Sequence, residues 1–271
     1  ASRGLGDVYK RQSMILQKSL EECRSTHRQV SLPHFRGGVI DFFEPGISSP
    51  DLPRPQAFLV QQDANWCLPV HFHQEHQFQL FVGGSASLGK KDLSHLEVHY
   101  ASPHAAYGPL VAGAQGLDYL TLRAVSDRGA WLMPDRRSDL LLGIPKILKH
   151  AVPQRTADPQ SLRQLTAAEH EVLIEPRPGG PGAWIMRLPP QSAGRAPAPS
   201  AGSTGRFHVL TCGQASTAKG PLQGLAVIWT GSGEEIDIHA GDDGAELVIM
   251  EYPEQAARSF VKDMKLNPIP Y

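Results

Sequence analysis

The chain alternates short runs of apolar residues with clusters of glycine, proline, serine and aspartate. The apolar runs are rich in Val, Ile, Leu and Phe, and turn-forming residues separate them at close intervals. Short strands divided by frequent turns are typical of a β-sandwich or barrel. The pattern therefore predicts an all-β fold with few short helices. The predicted strands cover 38–44, 57–61, 68–73, 78–82, 96–101, 117–124, 171–175, 183–188, 206–211, 225–230, 235–239 and 245–252.

Two segments depart from this pattern. Residues 14–23 have the spacing of a short amphipathic helix, with Ile15, Leu16 and Leu20 facing inward. Residues 190–205 are rich in Pro, Ala, Gly and Ser, a composition that favours a long flexible loop.

Two short patterns occur twice along the chain and in the same order. The segment 84–90 (GSASLGK) recurs at 213–219 (GQASTAK), 129 residues later, and 112–118 (AGAQGLD) recurs at 240–246 (AGDDGAE), 128 residues later. Two repeats at nearly one offset predict a duplicated β-domain. The predicted boundaries are a tail at 1–12, an N-terminal unit at 13–150, a connector at 151–182 and a C-terminal unit at 183–271.

The first residues are treated separately. Residues 7–12 (DVYKRQ) resemble the translation of a transposon-end oligonucleotide used to prepare sequencing libraries. We therefore expect residues 1–12 to be an artefactual or disordered tail, and we exclude them from the fold. Met14 is then a candidate start of the natural chain.

Composition excludes several classes of function. The chain has 26 basic and 27 acidic residues and no basic stripe, which argues against binding nucleic acid or an anionic membrane. No apolar run approaches the roughly 18 residues that a membrane-spanning helix needs. The three cysteines, Cys23, Cys67 and Cys212, form no CxxC pattern, which favours reduced thiols in the cytoplasm.

Three imidazoles lie close together at His71, His73 and His76, just before an apolar run. On an extended segment, residues two apart share a face, so His71 and His73 aim at one point while Phe72 packs on the opposite side. Neutral imidazole is the commonest metal ligand in proteins. The segment therefore predicts part of a metal site.

The strands, the duplication and His71-x-His73 together resemble the cupin superfamily, specifically its two-domain members, the bicupins. The first cupin motif has His-x-His, three or four further residues, an acidic ligand, six residues and a glycine. Here Gln77 stands at the acidic position and Gly84 at the glycine position, whereas Asn65 replaces the usual upstream glycine. The resemblance covers about 37–125 and, more faintly, 171–253. It implies tandem jelly-roll barrels.

The second cupin motif implies a further ligand after a Pro/Gly turn. His104 follows Pro103 and is the first choice, while counting back from the closing strand selects Tyr107, and His99 could also face inward. The resemblance thus implies four metal ligands, namely His71, His73, Gln77 and His104. The candidate pocket residues are Glu75, His76, His99 and Tyr107, of which Glu75 and His76 are expected to be solvated turn residues.

The second repeat keeps none of these ligands. At the repeat offset, His71, His73, Gln77, His99 and His104 map onto Ser200, Gly202, Arg206, Val227 and Ser232. The C-terminal unit is therefore expected to be a metal-free partner that supports or closes the pocket.

For function, the resemblance implies a divalent metal, Fe or Mn by preference and otherwise Ni, Zn or Cu. The metal would act on a small organic molecule, as in a dioxygenase or an isomerase, although the sequence identifies no catalytic side chain. The alternative is a non-catalytic small-molecule-binding or sensor protein whose metal site is structural or vestigial. A homodimer is a further expectation from the resemblance.

Overall fold

A computed structural model describes residues 15–43, 54–127 and 129–254 of the chain. The predicted tail at 1–12 and the candidate start Met14 lie outside these residues. The helices α1 (Leu20–Cys23) and α2 (Pro159–Arg163) are single short turns, so no helix of the described part is long and apolar enough to span a membrane. The prediction of an all-β fold with few short helices is confirmed.

Nineteen strands make up most of the described regular structure. In chain order they are β1 (Ile15–Ser19), β2 (Arg28–Leu32), β3 (Phe35–Phe43), β4 (Gln56–Gln62), β5 (Cys67–Leu68), β6 (His71–Phe72), β7 (Gln77–Leu88), β8 (Lys91–Asp92), β9 (Val98–Ala101), β10 (Leu110–Arg123), β11 (Trp131–Leu132), β12 (Leu148–Ala151), β13 (Glu169–Ile174), β14 (Gly182–Leu188), β15 (Ala193–Arg195), β16 (Gly205–Thr217), β17 (Gly220–Gln223), β18 (Ala226–Gly231) and β19 (Asp237–Tyr252).

The strands form two large sheets that follow the two halves of the chain. The first-half sheet has the order β12-β9-β7-β10-β4-β3-β2, with β5 beside β10 and β8 beside β7. The second-half sheet has the order β1-β18-β16-β19-β14-β13, with β15 beside β19 and β17 beside β16. A separate two-stranded ladder joins β6 to β11. All pairings are antiparallel, which suits a jelly roll.

β4 illustrates how the apolar pattern places side chains. Phe58 and Val60 belong to a core inside the first half, whereas Ala57 and Leu59 belong to a core shared with the second half. Successive residues of a strand face opposite sides of the sheet. Both faces of β4 are therefore buried, which explains why its sequence is a continuous apolar run.

Three apolar cores hold the molecule together. The first-half sheet wraps around its own core, because Val30 of β2 and Ala101 of β9, near opposite ends of the sheet, belong to one cluster. The second half has an equivalent core. The third core lies between the halves, where the Tyr252 hydroxyl donates a hydrogen bond to the carbonyl oxygen of Leu122. Its large aromatic members include Phe78, Tyr100, Phe207, Trp229 and Tyr252.

The sequence repeat corresponds to one backbone feature that occurs in both halves. Gly84 and Gly213 have φ angles of +72° and +80°, in the left-handed region that favours glycine. A Cβ on Gly84 would lie 2.2 Å from the carbonyl oxygen of Gly116, and one on Gly213 would lie 2.1 Å from that of Gly244. The same close approach therefore occurs where β7 meets β10 and where β16 meets β19.

The predicted helix over residues 14–23 is wrong. Residues 15–19 form β1, which pairs with β18 from Ile15 opposite Thr230 to Ser19 opposite Ala226. The helix begins only at Leu20, because Ser19 and Glu22 form a capping box there. The hydrogen bonds offered by the edge of β18 outweigh a short helical pattern. One strand of the predicted N-terminal unit thus belongs to the second-half sheet, and the domain boundaries otherwise stay a prediction.

The predicted flexible loop at 190–205 also contains regular structure. β15 lies within it and pairs with β19, from Ala193 opposite His239 to Arg195 opposite Asp237. The segment that follows is tied down by side chains, since Arg206 donates to the carbonyl oxygen of Pro197.

Candidate metal centre

His71 and His73 lie side by side in the first half. Their ring centroids are 5.2 Å apart and the ring planes are nearly perpendicular, at 86°. His71 exchanges backbone hydrogen bonds with Tyr107, at 3.1 and 3.0 Å, and the two rings are 4.5 Å apart. Phe72 packs on the other side of this segment, where it stacks on Trp131 of β11 at 6.0 Å. An extended backbone thus brings two imidazoles and a tyrosine to one place.

Three buried imidazoles in this region, His71, His73 and His99, are each held through Nδ1. An acceptor oxygen beside Nδ1 keeps the ring proton there and leaves a lone pair on Nε2. The Nε2 atoms of His71 and His99 are buried and have no hydrogen-bond partner. A second ring nitrogen fixed in this way is typical of metal-binding histidines. The three acceptors are Pro69 O at 2.8 Å, Asp127 Oδ2 at 2.7 Å and Gln79 Oε1 at 2.9 Å, respectively.

All three imidazoles are neutral near pH 7. Burial lowers the pKa of His71 to about 3, and burial holds the pKa of His99 well below its ordinary value. The pKa of His73 is lowered by burial and by the nearby guanidinium of Arg123, against the opposing hydrogen bond to Asp127. Because metal ions bind the neutral form of histidine, the three rings are in the state that coordination requires.

Gln77 is engaged by two protein side chains. Arg123, which is 1% exposed, donates to Gln77 Oε1 from Nε at 2.9 Å and from Nη2 at 2.5 Å. A guanidinium can only donate, so the amide oxygen faces Arg123 and the amide nitrogen donates to the Tyr107 hydroxyl at 2.6 Å. Arg123 also donates to Gln56 Oε1 at 2.6 Å. The amide oxygen at the acidic position of the cupin motif is therefore already bonded.

Arg123 and Asp127 lie on either side of His73. The Nδ1 atom of His73 has two acceptors, Asp127 Oδ2 at 2.7 Å and the Gly129 carbonyl oxygen at 3.1 Å, so this nitrogen carries the proton. Arg123 Nη2, at 3.2 Å from the same nitrogen, is then a neighbouring cation rather than a hydrogen-bond partner. Sequence reasoning missed Asp127 entirely. For Arg123 the one available signal was a charge on the inward-facing alternation of β10.

Tyr107 fills the space beside two of the imidazoles. Its ring centroid is 4.5 Å from that of His71, 4.6 Å from that of His99 and 6.3 Å from that of His73. Among the described residues, no three His, Cys, Asp or Glu side chains are close enough together to hold a metal ion as they stand. The two buried Nε2 atoms without partners, and the neutral, anchored rings that carry them, nevertheless fit a divalent transition metal chemically.

The structure does not bring His104 to the His71–His73 pair. Its ring stacks on Phe72 at 5.2 Å, on the side opposite the pair, and its Nδ1 accepts a hydrogen bond from the Leu141 amide at 3.3 Å. The cause is local, because residue 104 has a left-handed φ of +59° that turns the side chain outward. The inward positions belong to the two alternatives, Tyr107 and His99.

Glu75 and His76 lie in the turn between β6 and β7, and both are half-buried. The prediction that they are solvated holds only in part, because His76 Nδ1 lies 2.6 Å from the Tyr100 hydroxyl and burial lowers the pKa of His76 to about 4. Tyr100 belongs to the core between the halves, so His76 faces away from the candidate centre.

The second half has an ion pair where the first half has Gln77. Arg206 donates from Nε to Glu251 Oε2 at 2.6 Å, and both residues are at most 3% exposed. Arg206 lies opposite Thr230 in the ladder as Gln77 lies opposite Ala101, so Arg206 occupies the register position of Gln77. The offset mapping is thus right for this position.

The counterpart of His99 needs a correction. His99 lies opposite Gln79, and in the second half Ile228 lies opposite His208, so the counterpart is Ile228 rather than Val227. The offset between β9 and β18 is one residue longer than the repeat near β19 suggested. Both residues are apolar, so no imidazole replaces His99 in the described second half.

No protein-family model matches this sequence, and no curated protein sequence matches it either. Solved structures do resemble it. A bacterial pirin, YhhW of Escherichia coli in complex with nickel(II), is 12% identical with a TM-score of 0.52, covering 89% of this chain and all 100% of that one. A putative dioxygenase of Nostoc punctiforme is 15% identical with a TM-score of 0.52, covering 90% of this chain and 81% of that one.

A third similar structure is a variant of Bacillus subtilis oxalate decarboxylase. It is 11% identical with a TM-score of 0.55, and the match covers 89% of this chain and 78% of that one. These neighbours are cupin-family proteins, and at such low identity the likeness concerns the fold alone. The chain therefore has the cupin jelly-roll fold that the sequence predicted.

Proposed function

We propose that the first-half barrel binds a divalent metal ion and holds a small organic molecule against it. His71 and His73 are the proposed core ligands, and His99 is the proposed third imidazole instead of His104. One observation carries the proposal: the buried Nε2 atoms of His71 and His99 have no partner, while their Nδ1 atoms are anchored. Iron or manganese is the favoured metal, and nickel, zinc and copper suit the same donors.

The surrounding residues would each have a defined task. Asp127 and the Gly129 carbonyl hold the ring of His73, and Gln79 holds the ring of His99. When bound, the metal supplies Lewis-acid or redox chemistry to the organic molecule. The Tyr107 hydroxyl accepts from Gln77 and lies beside two of the imidazoles, so we expect it to hydrogen-bond an oxygen of that molecule.

The names of the similar structures support this proposal at a coarse level. The pirin was solved with nickel(II), and the others bear the names of a dioxygenase and a decarboxylase. Dioxygenase or isomerase chemistry is the finer expectation. Two-domain bicupin organisation, a homodimer and a cytoplasmic location complete the proposal as expectations from the resemblance.

Metal content is the decisive measurement. Protein purified without added metal, and after reconstitution with Fe(II) or Mn(II), should hold about one equivalent per chain. The double variant H71A/H73A should lose it, and His99→Ala should weaken binding more than His104→Ala. His208→Ala is the matched control, because His208 is a buried, neutral histidine of the second half. Less than about a tenth of an equivalent after reconstitution would contradict the proposal.

A second candidate is a non-catalytic binding or sensor protein with a structural or vestigial metal. The engagement of Gln77 by Arg123 and Tyr107 favours it, since that amide oxygen is not available to a metal. Oxygen consumption by metal-loaded protein, tested with aromatic and keto-acid substrates, separates the two candidates. Ligand binding without turnover across the panel would select the second.

A further inference from the structure

Charged side chains near the three proposed imidazole ligands balance one another. Arg123 and Asp127 are the nearest cation and anion to His73. Lys91 acts on His99 but is itself paired with the buried carboxylate of Glu97, at 2.6 Å. The described groups that act on these rings therefore contribute no net negative charge.

The position that could have supplied a negative charge holds a neutral amide. Gln77 stands where the resembled motif has an acidic ligand, and its oxygen faces a guanidinium rather than the imidazoles. The nearby carboxylate of Glu75 is in a half-exposed turn, where solvent screens its charge. A divalent ion held by neutral imidazoles in this interior would carry two uncompensated positive charges, which is costly in a buried site.

We infer that the organic molecule bound at this site is an anion, such as a carboxylate or a deprotonated enol or phenol, and that metal and anion bind cooperatively. The inference rests on the proposed function. The anion supplies the charge that the protein side chains lack. Because binding linkage is reciprocal, the anion raises the affinity for metal by the same factor as the metal raises the affinity for the anion.

The test uses Co²⁺ as the metal probe and two simple anions, acetate and azide. Titration calorimetry measures the affinity of the wild-type protein for Co²⁺ in perchlorate alone, and then with each anion. Acetamide is the matched neutral control for acetate, since it has nearly the same shape without the charge. We expect acetate and azide to tighten Co²⁺ binding by about tenfold or more, and acetamide by less than about twofold.

Two variants test the charge argument directly. Gln77→Glu supplies the missing carboxylate, so Co²⁺ alone should bind about tenfold tighter and the enhancement by anions should fall below about twofold. Arg123→Gln removes the buried cation and should shift both quantities in the same directions. Gln223→Glu makes the same charge change on the exposed strand β17 and should alter neither. A purely structural role for Gln77 would not move the two affinities in opposite directions.

The outcomes separate this inference from the proposed function. Co²⁺ binding that ignores acetate and azide would overturn the inference while leaving the metal site standing. An enhancement that survives unchanged in both Gln77→Glu and Arg123→Gln would also overturn it. No Co²⁺ binding at all, with or without anions, would overturn the proposed function itself. If Gln77→Glu does not fold, the wild-type anion dependence and Arg123→Gln still decide.

Discussion

The hydrogen bond between Asp127 and His73 leads to a quantitative prediction. Asp127→Asn keeps an oxygen beside His73 Nδ1 but removes the negative charge, and both side chains are at most 2% exposed. A buried hydrogen bond to a charged group contributes about 1.5–3 kcal/mol, which corresponds to more than tenfold in affinity. The Gly129 carbonyl at 3.1 Å still holds the ring, so we expect the lower end, a loss of about tenfold in metal affinity.

The assay for Asp127→Asn is competitive titration of Co²⁺ or Zn²⁺, with thermal unfolding of the metal-free protein measured in parallel. Asp41→Asn is the matched control, because Asp41 is a buried carboxylate paired with Arg28 away from the imidazoles. An unchanged metal affinity in Asp127→Asn, or an equal loss in both variants, would refute the role assigned to Asp127.

Three further predictions concern stability. Gly84→Ala and Gly213→Ala should each lower the free energy of unfolding by about 1–3 kcal/mol in urea titrations, because each residue has a left-handed φ and touches a carbonyl; an unchanged variant would contradict the repeated contact. Glu251→Gln should cost about 3–5 kcal/mol in the same assay because it leaves its buried arginine partner without an opposite charge, whereas the exposed Glu235→Gln should cost less than about 1 kcal/mol. Burial holds the pKa of His208 at about 3 against 6.5 for an ordinary histidine, so only the unfolded state takes up this proton between those values and stability falls as the pH is lowered through that window. The stability difference between wild type and His208→Gln should therefore shrink as the pH falls from about 6.5 toward 3; a constant difference would show that His208 does not titrate in this way.

The features that the sequence predicted well are those written in local patterns. Strand alternation selected the strands, and the recurring glycines marked the place where β7 and β16 each meet a partner strand at very close range. His71 and His73 also follow from local geometry, because two residues apart on an extended segment share a face. For these features the backbone conformation of a few residues decides the outcome.

The features that the sequence did not predict depend on pairing between distant strands. His104 follows a Pro-containing turn, yet its left-handed backbone sends the ring toward Phe72, and spacing alone cannot report a φ angle. His99 faces inward because it lies opposite Gln79, a register that involves two strands. Arg123 and Asp127 reach His73 from a segment some fifty residues away in sequence. Such contacts follow from the sheet and not from any motif.

The position of β1 limits how far the two halves can be treated as separable modules. β1 comes from the start of the described chain, yet it forms the edge of the second-half sheet against β18. A fragment cut anywhere in the connector would expose the hydrogen-bonding edge of β18, an invitation to aggregation. A ribosome would also have completed most of the first half before β1 meets its partner. A circular permutant that begins in the connector and carries residues 15–19 after the second half would supply the missing edge strand to that half.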